Sequence, residues 1–388
     1  MRHWGLSRAL EQRREEELYR ERMLVDSPQG PEVVVDGDAL LAFCSNDYLG
    51  LANHSRVVAA FQQGLDRYGA GAGASHLVSG HQRPHHELEL ALAEFTGRER
   101  ALLFSSGYQA NLGIITALLG PKDRIFQDRL NHASLLDGGR LSGARFRRYA
   151  HNSPAALEKL LQRAGGERQL VASDAVFSMD GDIARLPELA QLCTEYNACL
   201  LVDDAHGFGV LGKTGAGSLQ HYGLDKDEVP LLMGTLSKAL GVMGAFVAGS
   251  ETLIETLIQS ARSYIYTTAI PPALAIAALE SLRVLHDEPH IRENLKANIA
   301  LFRGSAYSLG LNLAASQTAI QPLILGDAEK SQAWSAALRR QGLLVPAIRP
   351  PTVPSGSARL RIALSASHSS AQIQRLLVAL ATVRDELG

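Results

Sequence analysis

The sequence predicts an α/β protein, with a large domain built on a mostly parallel sheet and a smaller C-terminal α+β domain. Two observations carry this. Short β-type runs alternate with amphipathic helical stretches through the middle of the chain, and after about residue 285 the strands become fewer while long helices take over. The 388 residues, 46% of them hydrophobic, supply a core large enough for two domains.

Taken in order, the N-terminal "MRHWGLSRALEQRREEELYRERMLV" reads as a polar helix, with no apolar stretch for a signal peptide. "EVVVDGDALLAF" (32–43) sets two apolar runs around Asp36-Gly37, a hairpin signal. These form an N-terminal segment, 1–44. A glycine-rich passage, "YGAGAGASHLVSG" (68–80), separates two helices. "ALLFS", "RIFQ", "RQLVASD", "ACLLVDD" and "VPLLMG" are the strands of the large domain, 45–285, with helices at 108–119, 154–164 and 187–197 between them. The basic run "ARFRRYA" (144–150) is expected at a sheet edge, with one solvated face. The small domain, 286–388, holds "AIQPLILG", "GLLVPAIRPPTV" and "ARLRIALS", with helices at 329–341 and 370–386.

Bulk chemistry narrows the function classes. A formal charge of −2 gives no field for nucleic acid, and no apolar run approaches the length of a membrane span. Three cysteines without a CxxC pair suit neither a disulfide framework nor a zinc site, and point to a reducing compartment, the cytoplasm.

Ligands of open α/β sheets bind beyond the carboxyl ends of the strands. "FSSGYQAN" ends a strand and starts a helix, so its free N–H groups suit a phosphate, although an ordinary cap accounts for it equally well. His132 in "LNHASLL" and Ser178 in "VFSMDGD" have similarly plain readings when taken alone. "ACLLVDDAHGFGVLGKTGAG" (198–217) is harder to set aside, because carboxylates ending an apolar strand need a cationic partner. It contains a GxGxxG match from Gly207 and a P-loop match from Gly207 to Thr214, including Lys213. Both motifs require a helix directly afterwards, where Gly215 and Gly217 disfavour one. ATP binding is kept as a distant alternative. A metal at Asp203, Asp204 and His206 lacks a further ligand cluster, and no metal is expected.

Lys238 in "GTLSKALG" is the one charge among small and apolar neighbours. Alone it reads as a snorkelling lysine. A lysine amine, a carboxylate at Asp203, hydroxyls at Thr235 and Ser237, and the helix start after "LLFSSG" are together the set that pyridoxal phosphate needs.

"FCSNDYLGL", "GAGASHLVSG", "FSSGYQAN", "NHASLLDG", "VFSMDGD", "VDDAHGFGVLG", "GTLSKALG", "YTTAIPPA" and "AIRPPTVPSGSARLRIALSASH", in this order, resemble the α-oxoamine synthase family over nearly the whole chain. The resemblance implies the fold-type I architecture of pyridoxal-phosphate transferases and a homodimer. It assigns Lys238 as the lysine that carries the cofactor, Asp203 to the pyridine nitrogen and His132 to the ring face. Ser178 and His206 fall at the phenolic oxygen, and Gly107, Tyr108 and Thr235 at the phosphate, with Thr268 from the partner subunit. Arg361 is implied as the anchor of the amino acid carboxylate, Asn46 as a nearby polar contact, and Arg20 and Thr352 as contacts to the acyl substrate. The implied reaction is an acyltransfer with loss of carbon dioxide, joining L-alanine to a pimeloyl thioester on coenzyme A or an acyl carrier protein. Glycine with acetyl- or succinyl-coenzyme A is the sister alternative. Ser75-His76-Leu77 departs from the smaller residues of many relatives, which bears on the acyl pocket.

Overall fold

The computed structural model describes residues 4–16, 18–165 and 167–388. Its centre is a seven-stranded sheet in the order Arg100–Phe104, Ala245–Gly249, Leu231–Thr235, Cys199–Asp203, Gln169–Asp174, Arg124–Asp128, Arg145–Tyr149. Six strands run parallel. Ala245–Gly249 pairs antiparallel with both of its neighbours, so the sheet is mostly parallel, as expected, with one strand that the sequence reading left out. That strand follows directly on the Lys238 turn and needs no crossover helix.

Both faces of the sheet are covered, which is why its strands read as unbroken apolar runs. Leu170, Leu201 and Met233 face one way, toward the helices Gly107–Leu118 and Glu251–Ser260. Val171, Val202 and Leu232 face the other, toward Pro154–Leu161 and Leu186–Glu195. The basic strand Arg145–Tyr149 lies at the sheet edge with all three of its arginines exposed beside the half-buried Phe146 and the buried Tyr149, as its pattern predicted.

The C-terminal part forms an antiparallel sheet, Ile320–Gly326, Ala358–Ala363, Ala347–Ile348, packed by Ala328–Arg340 and Ser370–Leu387. The hairpin Glu32–Val35 and Asp38–Ala42 forms around Asp36-Gly37, both at positive φ. Its second strand pairs in parallel with Leu343–Leu344, so residues set apart at the N-terminus complete the C-terminal region.

The N-terminal helix is shorter than predicted, Leu6–Glu15, and buries none of its residues. Arg20 therefore lies beyond the helix rather than on it. With no apolar face to dock, the polar segment has little tertiary packing to prolong it. The P-loop reading fails structurally: residues 207–217 are a series of turns, Gly215 and Gly217 have φ of +90° and +101°, and the next helix is only Ser218–Tyr222. No helix among the described residues is long and apolar enough to cross a membrane.

Candidate active site

Because the parallel strands share one direction, their carboxyl ends converge at one edge of the sheet, and the turns leaving them build a single pocket of about 530 Å³. Each strand contributes locally. Phe104 leads through Ser105 and the N-cap Ser106, whose Oγ accepts the Gln109 N–H at 3.3 Å, into the helix at Gly107. The first-turn N–H groups of Gly107 and Tyr108 have no acceptor within their own helix and border the pocket.

After Asp128 the chain reaches His132, the N-cap of Ala133–Leu141, and its imidazole is exposed at the pocket. The backbone N–H of His132 donates to Asp174 Oδ2 at 2.8 Å, and its Nδ1 lies 2.8 Å from Ser134 Oγ. Asp174 is held well above the usual carboxylate range, first by burial and then by the neighbouring charge of Asp203.

Asp203 ends its strand 4% exposed. Its Oδ2 accepts from Asn111 Nδ2 at 2.7 Å and its Oδ1 from the Ala205 N–H at 3.0 Å, so the carboxylate is fixed in rotation. Asp204 is taken up by Ser218, accepting from its N–H and hydroxyl, and Asp203, Asp204 and His206 form no ligand cluster among the described residues. Past Asp203, His206 places Nε2 at 2.8 Å from Lys238 Nζ and Nδ1 at 2.7 Å from Tyr48 Oη. Tyr48 in turn donates to Asn46 Oδ1 at 3.1 Å.

Lys238 sits in the turn after Leu231–Thr235. Burial pulls its amine down to about 8, with Asp203 and Asp174 resisting and Arg361 assisting. His206 is pushed well below the usual imidazole range by burial and then by Lys238 and Arg361. The turn is possible because Gly241 adopts φ +70° with its Cα against the backbone of Leu51 and Ala52; a Cβ there would lie 2.2 Å from Ala52 N. Thr235 Oγ1 bonds Ser237 Oγ at 2.7 Å, giving paired hydroxyls opposite the helix start.

Arg361, 6% exposed on Ala358–Ala363, donates from Nε to the Ser178 carbonyl at 2.6 Å and from Nη2 to Asn46 Oδ1 at 3.2 Å. Tyr48 is a further partner of the guanidinium, whose unused N–H groups can still receive an anion. The structure thus gathers Gly107, Tyr108, His132, Ser178, Asp203, His206, Thr235 and Lys238 around one pocket, with Asn46 and Arg361 linked to it. It does not bring in Arg20, Thr352 or Thr268. All three are exposed, and Thr268 pairs with Ser75 in an isolated bridge. Arg20 and Thr352 belong to neighbouring segments, since Arg349 Nη2 reaches the Tyr19 carbonyl at 3.5 Å.

The sequence reading assigned no role to Tyr48, Asn111 or Asp174. The signal was present for Asn111 and Asp174, each polar on an otherwise apolar helix face or strand end where an unpartnered group would be costly; Tyr48 follows the polar Ser45-Asn46-Asp47 and carries no such mark.

Residues 38–380 match the family described as Aminotransferase class I and II. The chain is 62% identical to an 8-amino-7-oxononanoate synthase of Pseudomonas putida over 99% of this chain and 98% of the relative. A protein of the same name from Thioalkalivibrio sulfidiphilus is 60% identical, over 97% and 96%. A solved serine palmitoyltransferase from S. paucimobilis, with bound PLP–myriocin aldimine, superposes with a TM-score of 0.93 at 32% identity, over 100% of this chain and 98% of that one. With a match spanning nearly the whole sheet and both flanking regions, the chain belongs to the aminotransferase class I and II family.

Proposed function

We propose that the pocket holds pyridoxal phosphate on Lys238 and that the protein is an 8-amino-7-oxononanoate synthase of biotin biosynthesis. L-Alanine and a pimeloyl thioester are joined to give 8-amino-7-oxononanoate, carbon dioxide and the free thiol. The observation that carries the substrate choice is the 62% identity, over almost the full length of both chains, to a protein of that name. The donor set of the pocket fits the cofactor: a lysine amine, a fixed carboxylate, an exposed imidazole face, and N–H and hydroxyl donors for a phosphate.

When bound, the cofactor supplies an electron sink for the carbanion at the alanine α-carbon and for the later loss of carboxylate. The side chains do the rest. Asp203, locked by Asn111 and the Ala205 N–H, keeps a proton on the pyridine nitrogen. Lys238, its amine lowered to about 8, is in part unprotonated at near-neutral pH and in that form removes the α-proton. Neutral His206 accepts a hydrogen bond from that amine and keeps it aimed into the pocket. His132 covers the ring face and donates to the oxygen of the attacked thioester carbonyl. Arg361 receives the alanine carboxylate, for which its planar fork is suited. Gly107, Tyr108, Thr235 and, from the partner subunit of a homodimer, Thr268 hold the phosphate. Arg20 and Thr352 contact the acyl chain.

The test is mass spectrometry of products from a panel of amino acids and acyl thioesters. 8-Amino-7-oxononanoate from L-alanine and pimeloyl-coenzyme A, or from the pimeloyl acyl carrier protein, is the expected result. A preference for glycine with acetyl- or succinyl-coenzyme A would overturn it. Borohydride should fix the cofactor on Lys238, as read by peptide mapping.

A further inference from the structure

Away from the pocket, the passage into the helix Arg83–Thr96 collects His76, His81, His85, His86 and Glu89. Their hydrogen bonds sort them. His85 is committed: its Nδ1 accepts the Gln82 N–H at 3.0 Å and its Nε2 donates to the Ile270 carbonyl at 2.7 Å, so it has no lone pair to offer. His81 Nδ1 lies 2.9 Å from His76 Nδ1; with His81 as the donor, its Nε2 lone pair is free. That nitrogen faces Glu89 Oε2 at 3.9 Å, beyond hydrogen-bond length.

Glu89 carries the independent evidence. Its side chain is only 12% exposed, and Oε1 accepts the Leu103 N–H at 3.0 Å while Oε2 points toward the imidazoles. The charge of Arg100 acts on this carboxylate from a distance. Arg100 itself is turned to Glu251 and Glu255, at 3.5 and 3.3 Å. Oε2 thus remains open toward His81 Nε2. His86 stands three residues before Glu89 on the same helix, so the two side chains share a face. The ligand atoms of His81, His86 and Glu89 lie within 4.8 Å of one another. A tetrahedral zinc with bonds near 2.0–2.1 Å needs separations of about 3.3 Å, a closure for which the exposed His86 can rotate and His81 can tilt on its His76 hydrogen bond.

We propose that His81, His86 and Glu89 form a binding site for one divalent ion of the zinc class. Two imidazole nitrogens and one carboxylate oxygen leave a fourth position for water. His76 on His81 Nδ1 and the Leu103 N–H on Glu89 Oε1 are the supports that fix ring and carboxylate. None of the three ligands lines the cofactor pocket, so failure of this site leaves the proposed function untouched.

Isothermal titration of the holoenzyme with zinc chloride, with cobalt(II) absorption as a second readout, should give one ion per chain. His86→Ala removes an exposed ligand, and Glu89→Gln keeps an acceptor for the Leu103 N–H; each should weaken binding roughly 10-fold or more. His76→Ala should weaken it less. Binding unchanged in both His86→Ala and Glu89→Gln would place the ion elsewhere and overturn the proposal. So would no stoichiometric binding at about 1 mM zinc, or binding abolished by His76→Ala but spared by His86→Ala.

Discussion

At the scale of single residues, the proposed chemistry depends on where protons sit. Asp203 is held by two hydrogen bonds, so in the role proposed for it the carboxylate would face the ring nitrogen without rearrangement. Asp203→Asn should keep the cofactor bound, visible in its absorption, while turnover falls roughly 100-fold or more, because a neutral amide no longer holds the ring proton. Turnover within a few-fold of the parent would assign that role elsewhere. Tyr48, 1% exposed, connects the guanidinium side of the pocket to the amine through Asn46 and His206. Tyr48→Phe removes the oxygen that sets the His206 tautomer. The expected outcome is a shifted pH profile for kcat with little change in KM for alanine; a profile that superposes on the parent would reduce Tyr48 to a packing role.

At the scale of elements, the decisive feature is that each turn leaving a strand is tightly constrained. Gly241 has φ +70° and no room for a side chain, because Leu51 and Ala52 of the neighbouring segment press against it. Gly241→Ala should cost roughly 2 kcal/mol or more, from strain and the backbone clash together, read as a lower urea midpoint and a loss of cofactor. His151 plays the corresponding part on the far side, bridging Asp128 Oδ1 and Asp182 Oδ2, both at 3.1 Å. Burial opposes its charge, but the two carboxylates outweigh burial and raise it to about 10. Its contribution to stability is therefore full below about pH 6.5, where the unfolded chain is also protonated, and fades as pH rises toward 10. The stability difference between the parent and His151→Gln should be largest near pH 6 and shrink by pH 9. A constant difference would show that packing, not charge, holds this corner.

At the scale of the whole molecule, the site joins two regions. Lys238, Asp203 and His132 stand on the central sheet, while Arg361 arrives from the C-terminal sheet and Asn46 with Tyr48 from the segment after the hairpin. Arg20 and Thr352 lie in segments linked by Arg349 and outside the pocket described in one chain. Arg20→Ala and Thr352→Ala should raise KM for the pimeloyl thioester by roughly 10-fold while sparing alanine binding. Loss of alanine binding would move both residues out of the acyl role.

The sequence by itself determined the α/β alternation, the hairpin at Asp36-Gly37, the edge strand at 145–149 and the residues that gather at the strand ends. These rest on local periodicity, turn chemistry and the rule that polar groups at the end of an apolar run need partners, all of which act within a few residues. Only the tertiary structure decided the antiparallel strand Ala245–Gly249 and the pairing of the N-terminal hairpin with Leu343–Leu344, because strand direction and long-range pairing leave no mark on periodicity. It also decided the early end of the first helix, since that helix buries none of its residues and so has no packing to extend it among the described residues. The roles of Tyr48, Asn111 and Asp174 were hidden for the same reason. Each acts through a partner 42 to 158 positions away, and a hydrogen bond of that span is a property of the folded chain alone.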